Sequence, residues 1–398
     1  MATNGIAQSI IPRHAGMDWL RIGAFGLLIL YHLGLYFGPW GWHIGSPHPV
    51  SWLIFPLLAL NPWRMTLLFL VSGYAARALL SRTSPAAFLR SRATRLLLPL
   101  MFGVLVVMAP QPWVERSLDG SYPHGLLRYW LTDYLSMGDP TTPALNNLWF
   151  VLYIWAYSVV VGLGAWLLPA SVRQKLRAGP ARLLDGPQLL ALPILWLLLI
   201  RLVWFPTMQP TNHVLHDLNG HLTYLPAFLS GMMLAGAPHL HATMHRFRWP
   251  AAMLALAGFG LILSQILLLG HEPPLGTPAA AIGRCGAAVM NWGMIVLLVG
   301  AVEPIRSGTS SLRATLNEAV FPSYIVHQTA IVLIAWWIRP LNLSNFAQFG
   351  PMLVGTCLAC WFFYRLGLAS GPFRPLFGLA PARPKQAEPR LSRLSRSG

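Results

Sequence analysis

The chain has 398 residues, of which 55% are hydrophobic and only 10% charged, with a mean hydropathy of +0.54 and a formal net charge of +17. Apolar residues on that scale, gathered into runs of about 17 to 25, exclude a water-soluble domain and point to a polytopic membrane protein. The basic excess is therefore a matter of loop placement rather than a signal for nucleic acid, and no nucleic-acid partner is expected.

Ten runs qualify as spans: 17–37, 52–80, 96–110, 145–168, 189–205, 222–236, 251–270, 279–302, 312–337 and 351–368. The predicted fold is all-α, a membrane bundle of ten transmembrane helices. Of the 28 Lys and Arg residues, 21 fall in the N-terminal segment, the even-numbered connections and the tail, while Arg116, Arg128 and Arg339 alone occupy the opposite loops. That asymmetry predicts both termini in the cytoplasm and a multi-pass protein of the bacterial inner membrane. The expected organisation is a cytoplasmic N-terminal segment (1–16), a membrane domain (17–368) and a basic cytoplasmic tail (369–398), largely disordered and close to anionic head groups of the lipid bilayer. The first run is too long for a signal-peptide core and lacks a small-residue cleavage site after it, so it is expected to remain as a span.

The first span carries Asp18, Arg21 and His32. Eleven residues separate Arg21 from His32, about 1100° of helical rotation, so both share one face about 16 Å apart along the axis. Ionisable groups are costly in hydrocarbon and by default face a bundle interior or a wet cavity. The alternative is an arginine that snorkels to the surface and a hydrogen-bonded interior histidine. Asp18, three residues before Arg21, is the expected local ion-pair partner.

The next loop holds Trp40, Trp42, His43 and His48, read as interfacial aromatics and solvated histidines. In the second span Arg64 enters near one end, with snorkelling as the plain alternative, and Ser72 with Gly73 allows close helix contact. Arg90, Arg92 and Arg95 precede the third span, a topology signal first and a phosphate site second. A long loop at 111–144 carries Glu115, Asp119, Asp133 and Asp139, and the fourth span opens on Asn146, Asn147 and Trp149. His213, His216, Asp217 and His221 lie together in a later loop without an HExxH pattern. They are read as the polar lining of a wet mouth, so no metal is expected. Cys285, Cys357 and Cys360 lie in apolar runs, and the CxxC spacing of the last two has no histidine or second pair nearby, which argues against zinc or redox chemistry. The ninth span holds Glu318, Pro322, Tyr324, His327 and Gln328. Four polar side chains in one apolar helix need partners, which places it in the interior beside the first.

Taken together, Asp18-x2-Arg21-x10-His32, Phe69-x2-Ser72-Gly73-Tyr74, Arg92-x2-Arg95, Leu148-Trp149-Phe150 and Tyr324-x2-His327, in this order on these spans, resemble acyltransferase family 3 of integral-membrane transferases. Within the family the likeness is to members that succinylate osmoregulated periplasmic glucans. It rests on Trp42-His43, Arg64-Met65, Tyr224-Leu225-Pro226 with Gly231, and Val326-His327, and it departs at Gln328, where a second histidine would strengthen the match, and in the arginine-rich tail.

The resemblance implies transfer from acyl-coenzyme A, as succinyl-CoA, to a hydroxyl of a periplasmic glucan, with no permanently bound cofactor. It implies catalytic roles for His32, Arg21 and Asp18, substrate contacts from His43, Arg64, Ser72, Trp149, Tyr324 and His327, and coenzyme A phosphate contacts from Arg92 and Arg95. Neutral histidine suits the base such a transfer needs near pH 7. A homo-oligomer is compatible with this reading. The alternatives are an acetyltransferase for another extracytoplasmic glycan and a ten-span transporter of small anions. Against the transporter, the first-span motif has no repeat in the second half.

Overall fold

In the computed structural model, residues 14–136, 143, 145–269, 273–274, 276–305, 308 and 310–381 are described. The described residues form helices joined by loops and include no strand. Its principal helices are α1 (Ala15–Phe37), α2 (Ser51–Leu80), α3 (Pro85–Leu118), α4 (Asn146–Leu167), α5 (Ala170–Leu183), α6 (Gln188–Trp204), α7 (Leu218–Gly236), α8 (Pro238–Leu269), α9 (Pro278–Val302), α10 (Ser311–Leu341) and α11 (Asn345–Ala369). Side chains accept from the first-turn amides at several starts: Ser84 from Ala87, Asp217 from Gly220, Thr277 from Ala280, Ser310 from Arg313 and Ser344 from Ala347. Each satisfies a donor that the helix itself leaves open.

Eight helices among the described residues are long and apolar enough to cross a membrane, namely α1 to α4 and α8 to α11. The expectation of ten meets two difficulties. At 1.5 Å per residue α6 is only about 26 Å long, and it follows α5 through a turn of 102°, so the pair counts at most as one broken span. α7 has 19 residues, but Asn219, His221 and Thr223 make its first turns polar.

Glycines set the helix spacing. A Cβ on Gly73 of α2 would lie 1.8 Å from the Phe228 carbonyl oxygen of α7, and one on Gly231 of α7 would lie 1.8 Å from that of Leu70. The expected close contact at Ser72-Gly73 is thus a backbone-to-backbone packing of α2 on α7. Gly286, Gly293 and Gly300 repeat the device every seventh residue of α9 against α8. α8 in turn keeps a broad lipid-facing surface of Met253, Leu256, Leu261, Leu267 and Leu268.

α10 is the central helix, with 72% of its apolar window buried, and it packs against α1 as its polar content requires. The first part of the tail is folded onto the bundle. Residues 371–377 form a short 3-10 helix, Gly371–Phe377, and Phe377 and Leu379 are buried against Ala319 and Tyr364. Gly378, at φ 77°, permits this return: a Cβ there would sit 2.3 Å from the Phe321 ring. Disorder is therefore not the state of 370–381. The remaining tail (382–398), most of the N-terminal segment, Asp139 and Arg306 lie outside the described residues.

Candidate active site

Two cavities meet inside the bundle. The first, of about 390 Å³, is lined by Arg21 of α1, Ser72 of α2, Arg92 and Arg95 of α3, and Asn317, Glu318 and Tyr324 of α10, and Gly378 to Ala380 form part of its wall. Glu318 accepts from Tyr364 Oη at 3.0 Å and lies 3.8 Å from Arg374, so the tail engages its charge. The three lining arginines leave this arginine cavity strongly positive, suited to phosphate or carboxylate. Arg92 stands over the Phe88 ring at 5.6 Å.

The second cavity, of about 600 Å³, is lined by His32, Trp42, His43, Arg64, Trp149, Arg201, Tyr224 and Gln328 among others. Its lining residues include no aspartate or glutamate. Leu28 and Tyr324 line both cavities and so form the partition between them. Arg21 and His32 lie one on each side of that partition, along the shared face of α1.

The hydrogen bonds settle the imidazole tautomers. His32 Nδ1 lies 2.9 Å from the Leu28 carbonyl oxygen, and His327 Nδ1 lies 2.8 Å from that of Tyr324. A carbonyl only accepts, so Nδ1 carries the proton in both rings and Nε2 keeps its lone pair. The two rings are 5.1 Å apart, with His327 fully buried and its Nε2 without a hydrogen-bond partner among the described residues. Tyr324 is held in turn, donating from its hydroxyl to the Asn147 carbonyl while its own carbonyl accepts from Asn147 Nδ2 at 3.1 Å.

His43 is bound quite differently. Its Nδ1 meets the Glu115 carboxylate, and its Nε2 lies 2.5 Å from Gln328 Nε2. The direction of this chain follows from its far end. Thr329 Oγ1 donates to the Val107 carbonyl at 2.9 Å and therefore accepts from Gln111 Nε2 at 2.8 Å. Gln111 Oε1 then accepts from Gln328 Nε2 at 3.2 Å and Asn146 Nδ2 at 2.7 Å. With Gln328 presenting its amide nitrogen, His43 Nε2 is an acceptor and His43 donates from Nδ1 to Glu115. The His43 lone pair is thereby committed, whereas that of His32 meets no donor among the described residues.

Arg64, for which a substrate contact was expected and snorkelling was the alternative, lines the histidine cavity: its guanidinium carbon lies 3.3 Å from the Tyr31 ring centroid and Nη1 donates to Asn61 Oδ1 at 3.0 Å. Other positions depart from the expectations. Trp42, read as interfacial, lines the same cavity with its ring 5.9 Å from His32. His43 is no solvated loop residue, and its partner Glu115 was not foreseen. Arg201 is also a cavity residue, standing 4.9 Å over Phe205. Asp217, grouped with the loop histidines, is buried; it caps α7 and accepts from Tyr153 at 2.7 Å. Its other contact, with the amide of Asn212 at 3.3 Å, pins a loop residue that lines the cavity. Asp18, expected to pair with Arg21, lies 3.6 Å from Arg313 of α10, a brace between the two helices.

The family model for the acyltransferase domain of the acyltransferase 3 family matches residues 14–365. Among curated proteins, the chain is similar to the glucans biosynthesis protein C of Salmonella paratyphi B, Salmonella dublin and Salmonella enteritidis. Each is 23% identical over 356 residues, covering 85% of this chain and 87% of the relative. No solved structure matches the chain. A family match over almost the whole membrane part, on a helical bundle with a histidine and an arginine cavity at its centre, makes this chain a multi-pass membrane acyltransferase belonging to the acyltransferase 3 family.

Proposed function

We propose that the enzyme transfers a succinyl group from coenzyme A, bound in the arginine cavity, to a hydroxyl of a periplasmic glucan bound in the histidine cavity. The observation that carries this reading is the pair of cavities that share Leu28 and Tyr324 in their walls, one rich in arginine and the other containing an imidazole whose Nε2 meets no donor among the described residues. On this reading the basic loops mark the cytoplasmic side, α6 and α7 are two shorter crossings that bring the total to ten, and both termini are cytoplasmic. Arg92, Arg95 and Arg21 meet the donor's phosphates, and the thioester reaches the partition past Ser72.

His32 Nε2 takes the proton of the acceptor hydroxyl as its oxygen attacks the thioester carbonyl. The carbon–sulfur bond then breaks, and the imidazolium returns its proton to the leaving thiolate. His327 backs the His32 ring, Trp149 and Tyr224 offer faces for sugar, and Asp18 holds α1 against α10. The succinyl choice follows from the likeness to glucans biosynthesis protein C and from charge. A succinyl carboxylate crossing the partition needs a cation, and Arg64 and Arg201 supply two with no acidic residue beside them in the cavity lining.

The test incubates the purified protein with labelled succinyl-coenzyme A, with and without glucan. Thioester consumption that requires glucan and yields succinylated glucan is the expected result. Consumption indifferent to glucan, or anion uptake into vesicles without acylation, would overturn the reading.

A further inference from the structure

The loop between α6 and α7 (205–217) gives Phe205, Pro210 and Asn212 to the wall of the histidine cavity. Three side chains at the start of α7 fasten it. Asn219 Nδ2 donates to the Met208 carbonyl at 3.0 Å, His221 Nε2 donates to that of Val214 at 2.7 Å, and the Asp217 carboxylate accepts from the Asn212 amide at 3.3 Å. Two of the three are held from α4 in turn: Tyr153 donates to Asp217 at 2.7 Å, and Tyr157 donates to His221 Nδ1 at 3.0 Å. Trp149, one turn before Tyr153, lines the same cavity, as does Tyr224, one turn after His221. The loop and both aromatic faces are therefore set by one network.

Asp217 divides its two oxygens. Oδ1 caps α7 on the Gly220 amide at 2.8 Å, while Oδ2 receives both Tyr153 and Asn212. Asn212 has φ of 56°, a left-handed conformation that asparagine tolerates better than most residues. Its side chain is exposed and makes no hydrogen bond to the described residues. The other asparagines of the lining, Asn61, Asn146 and Asn147, are bonded to Arg64, Gln111 and Tyr324. A carboxamide both donates and accepts, as a sugar hydroxyl does, and the wall that carries this one also carries two aromatic faces.

We propose, resting on the assignment of the histidine cavity to the acceptor, that Asn212 binds a hydroxyl of the acceptor sugar and that Asp217 is the positioning residue that holds it there. Two substitutions separate the amide from its tether. Asn212→Gly keeps the positive φ and the backbone bond while removing the carboxamide. Asp217→Asn keeps an oxygen for the α7 cap and turns an NH2 donor toward the Asn212 amide.

The test measures binding of unsubstituted periplasmic glucan to the full-length protein in detergent, by calorimetry without donor. Each variant weakens binding about fivefold, the scale of one neutral hydrogen bond, and the double variant loses no more than either alone, because Asp217 acts through Asn212. KM for the thioester stays at the wild-type value in all three. Tyr153→Phe, which keeps the charge and the tether, leaves glucan binding unchanged. Losses that multiply in the double variant, a raised thioester KM, or an equal loss from Tyr153→Phe would make Asp217 a support of the fold alone and refute the positioning role. Unchanged binding in Asn212→Gly would remove Asn212 from the site. If wild type binds no glucan at all, the acceptor assignment itself fails, and the role of Asn212 with it.

Discussion

The arginine and histidine cavities share a wall, yet they are built in opposite ways. In the first, Arg21, Arg92 and Arg95 converge from two helices, and Glu318, the lining carboxylate, is engaged by Tyr364 and Arg374. In the second, side chains are locked by directed hydrogen bonds that run from the Val107 carbonyl to Glu115. A positive surface can receive a flexible, highly charged molecule in many poses, because Coulomb attraction is weakly directional. A network of neutral amides and imidazoles instead specifies one geometry, since a misplaced buried donor or acceptor costs about 1–3 kcal/mol. Grip is therefore expected from one side of the Leu28–Tyr324 partition, and chemistry with selectivity from the other.

The sharpest way to break this comparison is at His32. His32→Ala is expected to lower transfer by about 10² to 10⁴ while the protein still inserts and stays monodisperse. His43→Ala is expected to do less, because the His43 lone pair is already committed to Gln328. Near-full turnover in the His32 variant would transfer the role of base to His327 or His43.

The acyl group comes next. Arg64→Ala leaves a succinyl carboxylate without one of its two proposed cations, so the ratio of succinyl to acetyl transfer should fall by about 10². Rates measured with the two thioesters decide it, and an unchanged ratio removes Arg64 from the donor's path.

On the other side of the wall, Arg21→Lys keeps the charge and loses the planar fork. If grip there depends on two-pronged contacts, the lysine variant should lose about tenfold or more in kcat/KM for the thioester and approach Arg21→Ala. Full activity with lysine would make the arginine cavity a simple field of charge.

The smallest effect is expected at Gln328, which holds His43 and Gln111 in register. Gln328→Leu leaves His43 Nε2 without its donor and Gln111 Oε1 with Asn146 alone, and kcat/KM for the acceptor should drop about fivefold with KM for the thioester unchanged. A change in thioester KM instead would mean that the amide network serves the donor side as well.

Much of this arrangement is legible in the order of residues. A charged or imidazole side chain within an apolar run carries a cost set by local composition, so Arg21, His32, His327 and the interior position of α10 follow from hydropathy and helical period alone. The same holds for Ser72-Gly73, since a small pair in a span invites a close helix neighbour. Topology is less legible where a helix is short. α6 and α7 resemble spans by apolar content, but their crossing depends on bend and depth, which neighbours impose.

What hydropathy and periodicity determine, then, is a polytopic helical protein with a polar face on α1 and on α10. Tertiary structure alone decided which polar groups meet. Glu115 lies 72 positions from its partner His43, and Gln328 lies 285 positions from the same ring. Arg64 stacks on the ring face of Tyr31, which belongs to another helix. The tail closes the arginine cavity because Gly378 can turn over Phe321. These pairings depend on how closely and at what rotation helices pack, and that is set by glycine contacts such as Gly73 on Phe228, whose partners no local pattern names.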